Sequence, residues 1–238
     1  IVRKLGIRYI WNGEVSNIVG QDRKLVFADY RLQSGGNTLK ASAKSVLHQM
    51  PSIRTGYVAP DNRQYNRKKF ADGSVLYCFR RYGTWQDADI DGLHNLINPT
   101  KINELIKQSG TAIVYSHLGK RYSKDSGRKN HIPETTREDF KNVKQKFEAG
   151  ELMVSSTSDL LDYLVLRDRI EVDVAASEIR INPDGISFEK LTSESLSGKT
   201  FSFHSKGINL NKLKVIVDGN VADIKPTIHS NEVFSLAF

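Results

Sequence analysis

The chain has 238 residues, 39% hydrophobic and 26% charged, which supplies apolar material for one or two folded domains and excludes a disordered or fibrous composition. Its one cysteine, Cys78, excludes an internal disulfide and a cysteine-based zinc site, and no uninterrupted apolar run reaches the roughly 18 residues of a membrane span. The net charge of +8, from 35 Lys and Arg against 27 Asp and Glu, favours anionic partners; its dispersal, with local groups only at Arg63, Arg67, Lys68 and Lys69 and at Lys120, Arg121, Lys124, Arg128 and Lys129, weighs against a nucleic acid.

Ile1 to Leu5 read as the end of a helix closed by Gly6, so further polypeptide is expected upstream of Ile1. Ile7 to Trp11 reads as a short strand. Asn37 to Gln49 has the spacing of a helix, with Leu39, Ala43, Val46 and Leu47 on one side, Asn37 or Thr38 as cap, and Met50-Pro51 as its stop. Val75 to Phe79 reads as a strand in which Cys78 is a small buried thiol rather than a nucleophile. Pro99 to Ser109 follows as a helix with Ile102, Leu105 and Ile106 inward, and a turn at Ser109-Gly110 leads into a strand from Ala112 to Tyr115.

Thr135 to Glu138 has capping-box spacing, and Phe140, Val143 and Phe147 recur on a helical period up to Gly150. Leu152 to Val154 is the next expected strand, and Ser156 to Asp159 opens a helix carrying Leu160, Leu161, Leu164 and Val165. Helix, glycine, strand, loop and helix again is the rhythm of a parallel β/α fold, here over residues 1–169. From Ile170 short alternating segments take over: 170–174, 178–181, 185–188, 200–203, 213–217, 222–225 and 233–236, with turn chemistry at Asn182-Pro-Asp-Gly185, Ser197-Gly198 and Asp218-Gly-Asn220. They predict a small antiparallel β-sandwich over 170–238, with His204 and His229 at strand ends and a supporting role.

The segment 21–98 reads as a long, polar, irregular insertion, of the kind that shapes a binding site or loops over the surface. Arg54, Tyr57, Arg63, Arg80, Arg81 and Tyr82 within it mix guanidinium and phenol groups able to meet hydroxyls, carboxylates or ring faces. Asp87-Ala-Asp-Ile-Asp91 alternates carboxylates but lacks the glycine and glutamate of a calcium loop, so an acidic turn is expected. His117 closes the strand beginning at Ala112, and the carboxyl end of a strand is where α/β barrels place catalytic groups. The alternative there is a solvated histidine satisfying a hydrogen bond at a strand end.

Leu5-Gly-Ile-Arg-Tyr-Ile-Trp11, then 102–117 ending in Val114-Tyr-Ser-His117, then 152–163 ending in Asp159-Leu-Leu-Asp-Tyr163 resembles the second half of the polysaccharide deacetylases, the NodB-like carbohydrate esterases. Val114-Tyr-Ser-His117 looks like that family's Leu-x-x-His motif with Val in place of Leu. The resemblance implies that residues 1–169 are the carboxyl-terminal part of a deacetylase-type (β/α) barrel, with a long insertion at about 21–98, followed by the β-sandwich. It also implies a hydrolase acting on acetylated sugars, in which a metal-bound water attacks the acetyl carbon and a histidine protonates the leaving group. His117 would be that general acid, with Trp11, Glu14 and Tyr115 at the sugar site and Arg54, Tyr57, Arg63, Arg80, Arg81 and Tyr82 as further substrate-binding residues.

The family's His-x-x-x-His motif and aspartate pair are missing: the six histidines, at 48, 94, 117, 131, 204 and 229, never fall three to five residues apart. Its Arg-x-Pro-Tyr segment is missing too. A divalent metal, zinc first, is therefore expected only if sequence upstream of Ile1 supplies the ligands, and none comes from this chain. The implied partners are a carbohydrate or glycan and the upstream segment of the same polypeptide, and the implied location is secreted or cell-envelope. The alternative is a non-catalytic glycan-binding or scaffolding protein on the same fold.

Overall fold

Burial alternates along Val75–Tyr82, and this alternation organises the first half of the chain. Leu76, Cys78, Arg80 and Tyr82 are buried, while Val75, Tyr77, Phe79 and Arg81 are half-buried, the period-two pattern of a strand with two unlike faces. The computed structural model describes residues 5–33, 35–49, 62–84, 86–118, 132–183, 196–198, 200–229 and 233–238. The chain divides into two compact units, Ile1–Ser155 and Ser156–Phe238. Strands resume at Ile170, and the helix before them groups with the second unit.

In the first unit β1 (Tyr9–Ser16), β2 (Tyr65–Lys69) and β3 (Val75–Tyr82) form a sheet of order β1-β3-β2, in which β1 runs parallel to β3 and β2 antiparallel. The helices are α1 (Phe27–Gln33), α2 (Thr38–Gln49), α3 (His94–Ile97), α4 (Pro99–Lys107) and α5 (Glu134–Glu148). The segment 21–98 is thus built from two helices, a β-hairpin and a further short helix. The helix at 37–49 and the strand from Val75 were expected; β2 was hidden because Arg67, Lys68 and Lys69 are exposed polar residues in succession.

Asn98 starts α4: its Oδ1 accepts the Lys101 amide at 3.1 Å, and Pro99 occupies the first turn, where its missing N–H costs nothing. Beyond α4 the chain returns beside β3 through isolated parallel bridges, Tyr82 with Val114 and Asp89 with His117. Residues 112–115 are therefore paired only at single points and do not form the expected strand, and 152–154 carry no strand. The core holds Val19, Tyr82, Ile90, Leu93, Leu96, Ile97 and Ile102, each aliphatic contributing about 1.5–3 kcal/mol by leaving water.

Three expectations for the helices change. Leu39 and Val46 on α2 are 83% and 55% exposed. Phe140 and Phe147 on α5 are also exposed, and its buried positions are Thr136 and Asp139. The capping box does not form: α5 starts at Glu134, with Pro133 at the cap position and no side-chain cap. Pro133 presets the entry geometry, so Thr135 falls inside the helix.

Two tight contacts fix the path into the 111–117 segment. Gln21 and Thr111 exchange backbone hydrogen bonds of 2.7 and 3.0 Å. A Cβ placed on Gly110 would lie 2.6 Å from the Gly20 Cα, a backbone atom with no room to yield. Gly110→Ala is therefore expected to cost about 2–3 kcal/mol, measured as a lower denaturation midpoint.

Asp29 ties α1 to the preceding loop, accepting from Arg23 at 2.7 and 2.8 Å and from the Val26 amide at 2.8 Å. Burial pushes its carboxyl up, but the Arg23 and Val26 hydrogen bonds and the Arg23 charge outweigh burial and hold it below the ordinary value of 3.8. A carboxyl with a lowered folded pKa stabilises fully above its unfolded pKa and loses that contribution as pH falls through the folded one. Asp29→Asn is expected to lower stability at neutral pH and to flatten the loss of stability below pH 3.8, read from denaturation midpoints across an acid series.

The second unit opens with α6 (Thr157–Arg167), where Ser156 caps the helix by accepting the Asp159 amide at 3.2 Å. The sheet β4-β5-β7-β8 comprises Ile170–Ala175, Glu178–Pro183, Lys214–Val217 and Asn220–Ala222. The sheet β6-β10-β9 comprises Thr200–His204, Val233–Ala237 and Thr227–Ile228. Ile179, Ile181, Val215 and Val217 from the first and Phe234 and Leu236 from the second bury one shared apolar core, the packing of a sandwich. The sheets are not purely antiparallel, since β5 pairs parallel with β7. The strand expected at 185–188 lies outside the described residues. Overall the chain is a mixed α/β protein; the described strands do not close a barrel.

Candidate active site at His117

Parallel pairing decides which side chains can meet. Tyr9, Ile10 and Trp11 lie opposite Tyr77, Cys78 and Phe79, and the register then slips so that Val15 lies opposite Arg81. This irregularity is a bulge around Asn12, Gly13 and Glu14: Gly13 has φ +84°, the Asn12 Oδ1 accepts the Glu14 amide at 2.9 Å, and the Trp11 indole N–H donates to the Glu14 carbonyl at 3.0 Å. A bulge re-aims side chains, and here it directs Glu14 and Trp11 to different arginines.

Arg80 and Arg81, adjacent in sequence, point to opposite faces of β3. Arg80, 4% exposed, pairs with Glu14 at 2.9 Å and donates to the Arg63 carbonyl at 3.3 Å. Arg81 takes the other face, where its guanidinium carbon lies 3.9 Å from the Trp11 ring centre and 4.0 Å from that of Tyr115. Both distances are within cation–π range.

His117 completes the cluster. Its ring meets Tyr115 edge-on at 4.9 Å, its backbone N–H donates to Ala88, and its Nδ1 lies 3.0 Å from Oδ1 of the buried Asp89. The side chain is 42% exposed. A carboxylate on Nδ1 selects the tautomer with its proton there and turns Nε2 outward. Such a pair can give or take a proton at Nε2 while Asp89 stabilises the imidazolium.

The structure thus brings together Trp11, Arg81, Tyr115 and His117, with Glu14 and Arg80 paired on the opposite face of β3. Tyr82 is a core residue, 6% exposed, and burial together with the Glu104 and Asp87 carboxylates pushes its phenol up to about 12. It has no access to a substrate. Arg63 is exposed, and its backbone carbonyl accepts from Arg80. Arg54 and Tyr57 lie outside the described residues. Cys78 is buried as a free thiol.

Asp89 was missed: the alternating acids of 87–91 were visible, but only the bridge to His117 distinguishes the middle one. A second His–Asp pair was missed as well, His94 on α3 with Asp139 on α5, at 2.7 Å between Nδ1 and Oδ2. There the buried carboxylate joins two helices.

The divalent metal implied by the family resemblance needs at least three convergent ligands. Among the described residues no group of three His, Cys, Asp or Glu could hold one, so these residues alone do not fit a metal centre. Compared with known proteins, the chain matches no family model, no curated protein and no solved structure.

Proposed function

We propose that this protein is a polysaccharide deacetylase-like hydrolase of acetylated sugars in which His117 is the general acid. The observation that carries the reading is the His117–Asp89 pair, 3.0 Å apart, set beside Trp11, Arg81 and Tyr115. An amine leaves a tetrahedral intermediate only after its nitrogen gains a proton, and Nε2 of an imidazole held by a carboxylate can supply it. Asp89 keeps the ring in orientation and offsets the charge. Trp11 and Tyr115 offer ring faces for a pyranose, and the described residues supply the leaving-group half of the reaction.

The parallel course of β1 and β3, continued by the Tyr82–Val114 bridge, supports a reading of residues 1–169 as part of a deacetylase-type (β/α) barrel. The same platform favours a second reading, a non-catalytic glycan-binding protein, since stacking needs no proton transfer. Acetate release from N-acetylated oligosaccharides by the full chain separates the two. Release that survives His94→Asn and is lost with His117→Asn supports the hydrolase; tight binding with no acetate released selects the binder.

A further inference from the structure

We propose that the sugar recognised at this site carries a carboxylate and that Arg81 selects it; the inference rests on reading the His117 cluster as a sugar site. The neighbouring basic side chains each have an acid: Arg80, on the opposite face of β3, pairs with Glu14 at 2.9 Å, and the His117 ring meets Asp89 at 3.0 Å. Arg81 meets Trp11 and Tyr115, and no carboxylate among the described residues is ion-paired with it.

Ring contacts satisfy the faces of a guanidinium but not its N–H groups, which donate in its plane. A half-buried cation with no acid among the described residues keeps a desolvation cost that a ligand anion would relieve. The planar fork matches a planar carboxylate, with two parallel hydrogen bonds. Arg81 and His117 both touch the Tyr115 ring, at 4.0 and 4.9 Å, so the carboxylate would sit on the reacting sugar or its immediate neighbour. The net charge of +8 draws the same class of ligand from a distance.

The test compares a hyaluronan hexasaccharide, which alternates N-acetylated sugars with uronates, with the same oligosaccharide after its carboxylates are reduced to alcohols. Calorimetric titration of the full chain at low ionic strength should show the intact form bound about tenfold more tightly or better. Arg81→Gln should bring the two forms within about threefold, and Arg81→Lys, which keeps the charge but not the fork, should retain only part of the preference. The wild-type comparison decides by itself if a variant fails to fold.

Equal affinity for the two forms, a preference that survives Arg81→Gln, or no binding of either form would overturn the proposal. Acetate released equally from both forms would keep the deacetylase reading and remove the carboxylate. A preference abolished by Arg81→Gln, with no acetate released, would keep the carboxylate and remove the hydrolase.

Discussion

Replacing His117 with asparagine is expected to lower deacetylation by roughly two to four orders of magnitude, the share of the barrier that a positioned proton donor supplies. The fold should survive, because the His117 side chain is 42% exposed and its backbone bond to Ala88 does not depend on the ring. An unchanged melting temperature beside the lost turnover would separate catalysis from stability. Turnover within a few-fold of wild type would leave His117 as a solvated residue with a satisfied hydrogen bond to Asp89.

Asp89→Asn should lower turnover by roughly ten- to a thousandfold. An amide can still hold the ring near its place, but it no longer offsets the imidazolium charge, and its NH2 can favour the wrong tautomer. Asp89 is buried next to a half-exposed partner, so some stability should be lost as well. The readout that a merely structural role would not move is coupling. The double variant with His117→Asn should be scarcely slower than His117→Asn alone, because Asp89 acts through that ring. Additive losses in a kinetic cycle would sink the pairing.

The elements legible in the sequence were those whose signals are local. Val75–Tyr82 shows its period of two, Pro99–Lys107 carries its apolar stripe and proline start, and Ser156 announces α6 through a cap reaching only three residues ahead. Within 21–98 the α2 helix and β3 were legible, whereas β2 was not, because Arg67, Lys68 and Lys69 are all exposed and show no alternation, and because the Asn62 side chain, which donates to Gly20 and Arg23 from far along the chain, holds the loop together.

The site divides in the same way. His117 and Trp11 announced themselves by residue type and by the apolar runs they follow, although the structure places Trp11 within β1 and His117 at an isolated bridge. Arg81 could not be told from Arg80 until the parity of β3 was known, and the choice of Asp89 among three nearby acids depends on a bridge between segments about 28 residues apart. Tyr82 misled for the same reason: its parity sends it into the core.

The most direct test of His117 as leaving-group acid varies the leaving group. On an N-acetylated sugar the departing amine must be protonated, whereas p-nitrophenyl acetate expels a phenolate that leaves unaided. Rates for wild type and His117→Asn on both substrates should show a deficit of roughly a hundredfold or more on the amide and less than about tenfold on the aryl ester. An equal deficit on both substrates, or none on the amide, would contradict the assignment.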